Sequence, residues 1–306
     1  MITEKYPATL IAPNALFQIG LSYQRIGTTE SIDGSVEAFT RFYKLYPDNP
    51  SAPAAYYYAA WGLYRKGEWE SAADVFKTLA DRYPDSEFAA ESRYRQGESL
   101  FNKKLYQSAM AVFDQLLKEY PTCEYVDDAL YSRAWCLIYS DRKDEAVPIF
   151  REIVAKYSDS IYAPNSQFSL GDYFYSIENY EQATVEYKKF VELFPDHEKV
   201  ARANYLLQNL AEINAYNLYH RGELLFDKGN YNRAIAVFDS VMVRFPESEY
   251  AVSALVNMGA AYEAKEDFDQ AREKYSEVIA KYGSDPKYSA QVEFCKSHLE
   301  VLKTAL

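Results

Sequence analysis

The side chains best suited to metal binding or nucleophilic catalysis are few and scattered along the 306 residues. They are three cysteines and three histidines: Cys123, Cys136, Cys295, His197, His220 and His298. A zinc site needs such ligands in closely spaced pairs, and the sequence contains no CxxC or HExxH motif. It also contains no phosphate-binding glycine loop, GxSxG motif or calcium loop. The carboxylates fall on the polar faces of predicted helices, so we expect neither an enzyme nor a bound cofactor.

The charge of the chain narrows the class of partner. It has 33 basic and 45 acidic residues, which give a net charge of −12. Nucleic acids and anionic lipids attract basic surfaces, so an acidic chain argues against both. No apolar run approaches the ~18 residues that a membrane-spanning helix needs. The first residues, MITEKYPATLIAP, lack the basic region and apolar core of a secretory signal. We therefore expect no nucleic acid, no membrane insertion and no signal peptide.

Aromatic residues are the unusual part of the composition, with 30 Tyr, 17 Phe and 3 Trp. An aromatic residue followed by a turn residue recurs every 37 residues, apart from one interval of 51 (245 − 194). The pairs are Tyr46-Pro47, Tyr83-Pro84, Tyr120-Pro121, Tyr157-Ser158, Phe194-Pro195, Phe245-Pro246 and Tyr282-Gly283. Such a period indicates an array of similar units, each built from one supersecondary motif.

Two columns of small residues follow the same period. One column reads Ser35, Ala72, Ala109, Ala146, Ala183, Ala234 and Ala271, each followed four residues later by a ring: Phe39, Phe76, Phe113, Phe150, Tyr187, Phe238 and Tyr275. The other reads Gly20, Ala60, Gly97, Ala134, Gly171, Gly222 and Gly259. Apolar residues return at helical spacing over about 88–102 and 106–118, so repeat 3 is predicted to be two helices. Small residues let two helices approach to ~8–10 Å, which predicts antiparallel pairs that stack on their neighbours.

The residues of repeat 3 that carry this pattern are Gly97, Tyr106, Ala109, Phe113 and Pro121, and they resemble the tetratricopeptide repeat (TPR). The longer period is similar to that of bacterial envelope TPR proteins of the outer-membrane assembly lipoprotein and TolA-binding types. The resemblance implies an all-α, right-handed α-α superhelix (a TPR solenoid) of about seven helix-turn-helix repeats plus a C-terminal capping helix. It also implies a location in the bacterial periplasm or envelope.

A single solenoid is predicted over residues 1–306. Its repeats are expected at 13–49, 53–86, 90–123, 127–160, 164–197, 215–248 and 252–285. Residues 198–214 are predicted to be a helical insert that lengthens the first helix of repeat 6 by about four turns. Residues 286–306 are predicted to form the capping helix. Repeat 1 is expected to have a longer turn between its helices, from Gly27 to Asp33.

In TPR folds the first helix of each repeat, here called the A helix, lines a concave groove. Positions −6, −3, −2, +1, +4 and +5 from the small A-helix residue face that groove. Carried over to this sequence, the resemblance implies a partner-binding surface made of Tyr57, Tyr58, Trp61, Tyr64, Tyr94, Glu98, Phe101, Tyr131, Trp135, Tyr139, Phe168, Asp172, Tyr175, Tyr219, Glu223 and Phe226. The rings at −3 and +4 have a second interpretation, which is packing between adjacent A helices. Trp61, Trp135 and Tyr139, at +1 and +5, have no regular partner column and are better suited to contact a partner.

The groove columns also indicate what kind of partner fits. TPR domains that hold a C-terminal carboxylate use Lys and Asn at −3, +1 and +5, and these columns here carry aromatic and acidic residues. The expected partner is therefore another protein, bound through a basic or apolar peptide or an amphipathic helix. The alternative is a glycan-binding or polysaccharide-handling accessory protein of the bacterial envelope, because rings and carboxylates also suit sugars. A spacer with contacts only at its ends is a third interpretation, and nothing in the sequence indicates a homo-oligomer.

Overall fold

The computed structural model describes residues 11–304, and within that range the chain forms helices and turns with no β-strand. The helices, numbered in chain order, are α1 (Ile11–Ile26), α2 (Thr29–Leu45), α3 (Ala52–Arg65), α4 (Trp69–Arg82), α5 (Ala89–Asn102), α6 (Tyr106–Glu119), α7 (Val126–Tyr139), α8 (Lys143–Lys156), α9 (Ala163–Ser176), α10 (Tyr180–Leu193), α11 (Val200–Asp227), α12 (Tyr231–Arg244), α13 (Glu249–Ala264), α14 (Phe268–Tyr282) and α15 (Ser289–Thr304). A short 3₁₀ turn, Pro286–Tyr288, precedes α15.

Contacts between helices group the chain into two compact units, one ending at Ser169 and the other beginning at Leu170. In the first unit, α1 to α8 each pack against the next helix along the chain. In the second unit, α10 to α15 do the same. Odd-numbered helices up to α13 are A helices, and the even-numbered helices that follow them are the B helices. The predicted all-α fold of stacked helix pairs is confirmed.

The contact that recurs in the helix pairs joins a small A-helix residue to a B-helix ring. The seven rings of that column are each at most 2% exposed. A Cβ added to Gly97 would overlap the ring of Phe113, and the same is true of Gly222 and Phe238. Glycine or alanine is therefore required on the A helix because the ring of its partner helix occupies the space beside the backbone.

Two of the seven rings are tyrosines, and each of their buried hydroxyls has an acceptor. The Tyr187 hydroxyl donates to Asp172 Oδ1 at 2.5 Å. The Tyr275 hydroxyl donates to Glu263 Oε2 at 2.8 Å. A buried hydroxyl without a partner is destabilising, so tyrosine replaces phenylalanine only where the A helix supplies a carboxylate.

The first unit also contains a buried cation that links three helices. Arg93 of α5 is 2% exposed. Its guanidinium pairs with Asp81 of α4 at 2.7 Å and with Glu119 of α6 at 3.2 Å. Both carboxylates satisfy donors that would otherwise be buried without partners, so Arg93 fixes α5 between the two B helices.

The turn of repeat 1 differs from the expectation. α2 begins at Thr29 and has 17 residues, so only two residues separate it from α1. The Thr28 side chain accepts a hydrogen bond from the Ser31 backbone N–H at 3.3 Å and so caps the helix. The prediction of a longer turn from Gly27 to Asp33 was wrong, because the additional residues extend the helix rather than the loop.

Two features follow repeat 5. α11 has 28 residues, twice the 14 residues of α10 before it. α15 packs against α13 and α14 and buries Val292, Cys295 and Leu302 beside them. No helix within residues 11–304 is both long enough and apolar enough to cross a membrane.

We expect Gly97→Ala to destabilise the protein by about 1–2 kcal/mol. The added methyl group overpacks the Phe113 ring, and the better helix propensity of alanine offsets only part of that effect. In a Phe113→Leu background the ring is absent, so the same substitution is expected to cost little. Chemical denaturation of the two single variants and the double variant measures this coupling. Equal effects of Gly97→Ala in both backgrounds would show that the ring contact does not constrain position 97.

The turns between A and B helices supply a second prediction. Gly27, Gly67 and Gly229 have a positive φ there, but so do four residues with side chains, among them Lys104 with a φ of 65°. A side chain in this left-handed region is strained, so Lys104→Gly is expected to stabilise the protein by about 0.5–1 kcal/mol. Its neighbour Lys103 has an ordinary helical φ of −74°, so Lys103→Gly is the control and is expected to destabilise. Thermal denaturation that ranks the two variants in the opposite order would contradict this account.

Candidate partner-binding surface

The predicted surface residues of repeats 2 to 4 lie on α3, α5 and α7, all within the first unit. We use the name A face for the side of these helices that carries the following residues: Tyr57, Trp61, Tyr64, Glu91, Arg95, Glu98, Phe101, Asp128, Trp135 and Tyr139. Seven of these ten were predicted from the sequence. Glu91, Arg95 and Asp128 were not.

Contacts between α3 and α5 hold the first part of the A face. The Tyr57 hydroxyl donates to Glu91 Oε1 at 2.8 Å. The Arg95 guanidinium lies over the Trp61 ring, 5.1 Å from its centroid. One helical turn later, Asn102 Nδ2 donates to the Tyr64 hydroxyl at 3.2 Å. From Tyr57 onward, each turn of α3 therefore has a polar or cation–π contact with α5, and these contacts hold the side chains between the two helices in place.

Aromatic contacts continue the A face from α5 to α7. The rings of Phe101 and Tyr139 meet edge to face with centroids 5.7 Å apart. Tyr139 also stacks on Tyr106, the first residue of α6, at 5.2 Å. Trp135 lies one turn before Tyr139, with ring centroids 5.8 Å apart. Tyr139 remains 55% exposed in spite of these neighbours, so part of its ring is open to a partner.

Arg95 is the cation at the centre of this surface. Its guanidinium pairs with Glu98 at 2.6 Å and with Glu91 at 3.3 Å. Burial by itself lowers the pKa of Arg95, but the two carboxylates outweigh that effect and raise it. Arg95 was not predicted although it occupies the −2 position, one of the groove positions. A check of the −6 and −2 columns as well as the aromatic ones finds both Glu91 and Arg95.

Asp128 adds a third carboxylate. The Tyr162 hydroxyl donates to Asp128 Oδ1 at 2.8 Å, and the Tyr162 ring stacks on Tyr131 with centroids 4.5 Å apart. Burial raises the pKa of Asp128, and the hydrogen bond from Tyr162 only partly opposes that shift. With Glu91, Glu98 and Asp128 against Arg95, the A face carries more negative than positive charge.

Several predicted residues are packing residues in the structure. Tyr94 and Phe168, both at position −3, are 5% and 2% exposed. Tyr94 stacks on Tyr125 with centroids 5.6 Å apart. Tyr58 is half-buried, and its ring lies 5.2 Å from Phe39. Because neither Tyr94 nor Phe168 reaches the surface, their prediction as partner contacts is corrected to a role in the core.

The remaining predicted residues lie in the second unit and contact neighbours there. Asp172 accepts the Tyr187 hydrogen bond already described, and Tyr175 meets Tyr180 edge to face at 5.6 Å. The Tyr219 hydroxyl accepts a hydrogen bond from Asn257 Nδ2 at 2.9 Å. Glu223 lies 3.2 Å from His220 Nδ1. The ring centroids of Phe226 and Tyr231 are 5.3 Å apart. Each of these five side chains therefore contacts another side chain of the second unit.

Two of the cysteines and one histidine have well-defined surroundings. Burial raises the pKa of Cys136 to about 12 and that of Cys295 to about 11, so both thiols stay protonated at neutral pH. His298 Nδ1 lies 2.8 Å from Glu263, in the packing between α13 and α15. Among residues 11–304, no group of three or more His, Cys, Asp and Glu side chains is arranged to hold a metal ion.

Family models match three parts of the chain. The outer membrane lipoprotein family YfiO matches residues 50–144, which include α3, α5 and α7. Two tetratricopeptide repeat families match residues 14–49 and 219–288. No curated protein is significantly similar in sequence.

Solved structures of TPR proteins resemble the chain at low sequence identity. A tetratricopeptide repeat protein from Parabacteroides merdae is 16% identical, with 93% of this chain and 98% of that chain covered and a TM-score of 0.49. MamA from Desulfovibrio magneticus RS-1 is 18% identical, with 76% and 97% covered and a TM-score of 0.40. The TPR2AB domain of yeast Sti1, solved in a complex with pHSP90, is 13% identical, with 95% and 98% covered and a TM-score of 0.38.

The buried contact between small residues and rings recurs in both units, and TPR family models match both ends of the described chain. Between them, the repeats of the first unit match the outer membrane lipoprotein family. The chain is a tetratricopeptide repeat protein that resembles the TPR proteins of the bacterial envelope.

Proposed function

We propose that the protein is a scaffold whose A face binds a peptide or a short helical segment of another protein. Four rings with polar tips support this proposal: Trp61, Tyr64, Trp135 and Tyr139 are half-buried or exposed. Such rings contribute a large contact area and lose little conformational entropy on binding, which is why they are frequent among binding hot spots. Neighbouring helices already hold them in place, so a partner would meet a preorganised surface.

The charges of the A face favour a basic or apolar segment. Arg95 is neutralised by Glu91 and Glu98, so it is not free to bind a carboxylate of a partner. Glu91, Glu98 and Asp128 leave the surface with excess negative charge. A lysine or arginine of the bound segment would gain from these carboxylates, while its apolar residues contact the rings.

The ring contacts favour a peptide over a glycan. A sugar-binding platform needs an open aromatic face. The Trp61 ring stacks on Tyr64 with centroids 5.3 Å apart and also lies beneath Arg95. Little of the Trp61 face is therefore open to a sugar. The side chains of a peptide can instead contact ring edges and hydroxyl groups.

Substitution of the exposed rings tests the proposed surface. Peptides selected by phage display against the full chain are expected to be rich in Lys, Arg and apolar residues. Trp135→Ala and Tyr139→Ala are each expected to weaken the binding of these peptides at least about tenfold. Tyr205→Ala is the matched control because Tyr205 is 64% exposed on α11, which belongs to the second unit and carries no residue of the A face. Fluorescence anisotropy with labelled peptides measures the dissociation constants.

Equal losses for the control and the A-face variants would contradict the proposed site. The glycan alternative would be favoured if no peptide is selected but a bacterial polysaccharide binds the protein in affinity electrophoresis. Trp135→Ala should then abolish that binding. Circular dichroism of each variant checks that the helices are intact.

The proposed surface should also depend on pH. Because the pKa of Asp128 is raised, this residue becomes neutral at a higher pH than an ordinary aspartate as the solution is acidified. A basic peptide is then expected to bind more weakly as the pH falls from 7 toward 4.5. In Asp128→Asn the binding at pH 7 is weaker and its decrease with acid is smaller, since one titrating carboxylate is gone. If the affinity of the wild type and that of Asp128→Asn decrease equally as the pH falls, Asp128 does not contribute to the site.

A further inference from the structure

One stripe of residues along α11 is covered in the first half of the helix and exposed in the second half. Positions three or four residues apart form this stripe: Ala203, Leu207, Leu210, Asn214, Asn217, Arg221, Leu224 and Lys228, the last being the residue after the helix. The first four are buried or half-buried. The last four are exposed, and Leu224 is 47% exposed.

The lengths of the helices explain the change. α11 is ~42 Å long, while α10 is ~21 Å long and therefore covers only half of it. Asn214 marks the end of the covered half, since its Nδ2 donates to Thr184 Oγ1 at 3.0 Å near the start of α10. The end of α12 approaches the same point, where Arg244 pairs with Glu181 at 3.3 Å. α10 and α12 thus lie end to end along α11.

The corresponding face is covered in repeats 2, 3 and 7. Asn217, Arg221 and Leu224 stand at −5, −1 and +2 from the small residue Gly222. In repeats 2, 3 and 7 the residues at these positions are all buried: Ala55, Ala59, Gly62, Ser92, Gln96, Ser99, Ala254, Met258 and Ala261. In repeat 7, Ala254 and Met258 pack in one cluster with Phe238 of the preceding B helix. The exposed half of α11 is therefore the face that a preceding helix normally covers.

The uncovered face of α11 combines apolar and basic side chains. Between α11 and α12 is a recess of about 470 Å³, with Leu224, Leu225, Ala236 and Val237 as its apolar lining and Arg221, Lys228 and Arg233 around them. Within residues 11–304, none of these three cations forms an ion pair. Among the described residues, no carboxylate lines this recess, and Glu178 and Glu181 line the adjoining space beside Asn217 and Arg221.

We propose that this face binds an amphipathic helix of a partner protein that carries an apolar ridge flanked by carboxylates. The equivalent face of other repeats is covered by a helix, and ~21 Å of α11 is free, so a helix of about 14 residues fits. Arg221, Lys228 and Arg233 favour a helix that carries carboxylates on both sides of its apolar ridge. A second copy bound through the same face would place like charges opposite one another, which disfavours a symmetric dimer. This site consists of other residues than the A face and takes a partner of opposite charge.

Two synthetic peptides test this site on the full chain. The first is a labelled 16-residue helical peptide with a leucine ridge and glutamate flanks, and the second has lysine in place of each glutamate. We expect the glutamate peptide to bind at least tenfold more tightly in fluorescence anisotropy. Arg221→Glu and Leu224→Glu are each expected to weaken its binding at least tenfold. Both side chains are exposed, so neither substitution should disturb folding.

Two controls make the result specific. Lys118→Glu on α6 makes the same charge change at an exposed position elsewhere, and Trp135→Ala alters only the A face. Both are expected to bind the glutamate peptide as the wild type does. Equal weakening by Lys118→Glu and Arg221→Glu, no preference between the peptides, or no binding of the glutamate peptide would each overturn the proposal. So would a dimer in sedimentation velocity that Leu224→Glu converts to a monomer, since the occupant would then be a second copy.

Discussion

The structure depends on the close contact between a small residue of each A helix and a buried ring of its B helix. Where Gly97 meets Phe113, no Cβ fits between the backbone and the ring. This contact sets the distance between the two helices and buries a large ring in each repeat. A single helix pair leaves its outer faces uncovered, so stability requires that neighbouring pairs stack. The other features of the two units follow from that stacking.

Stacking assigns each face of an A helix a different role. One face contacts its own B helix and another contacts the preceding repeat. Only the remaining face, which carries Trp61, Arg95 and Tyr139, is free to hold polar and aromatic groups. These groups also interlock between helices, as the Tyr57–Glu91 hydrogen bond shows. The same side chains therefore stabilise the stack and present a surface, which is why architecture and binding cannot be separated by residue type alone.

The doubled helix α11 shows what happens when the regular stacking is interrupted. Fourteen additional residues move the covering helix α10 along α11, so α10 does not cover this face of the next half. In repeats 2 and 7 the matching positions are small or apolar, whereas here they include Arg221 and an exposed Leu224. The change of residue type coincides with the change of environment. One chain thus carries an acidic aromatic surface in its first unit and a basic apolar recess in its second.

The sequence by itself determined the helix pairs, because the spacing of small residues, rings and prolines records which backbone positions approach a neighbour. It also indicated a lengthened first helix in repeat 6 and suggested the rings of the A face as partner contacts, which stay a proposal. It did not distinguish Tyr94 and Phe168, which are buried, from Trp135 and Tyr139, which reach the surface, because burial depends on the crossing of helices that are distant in the chain. The −2 column of the sequence contains Arg95, but its position over Trp61 arises only when α3 and α5 lie side by side. The exposed half of α11 was likewise decided by tertiary structure, because the length of one helix relative to its neighbour, rather than the polarity of its residues, determines what is covered.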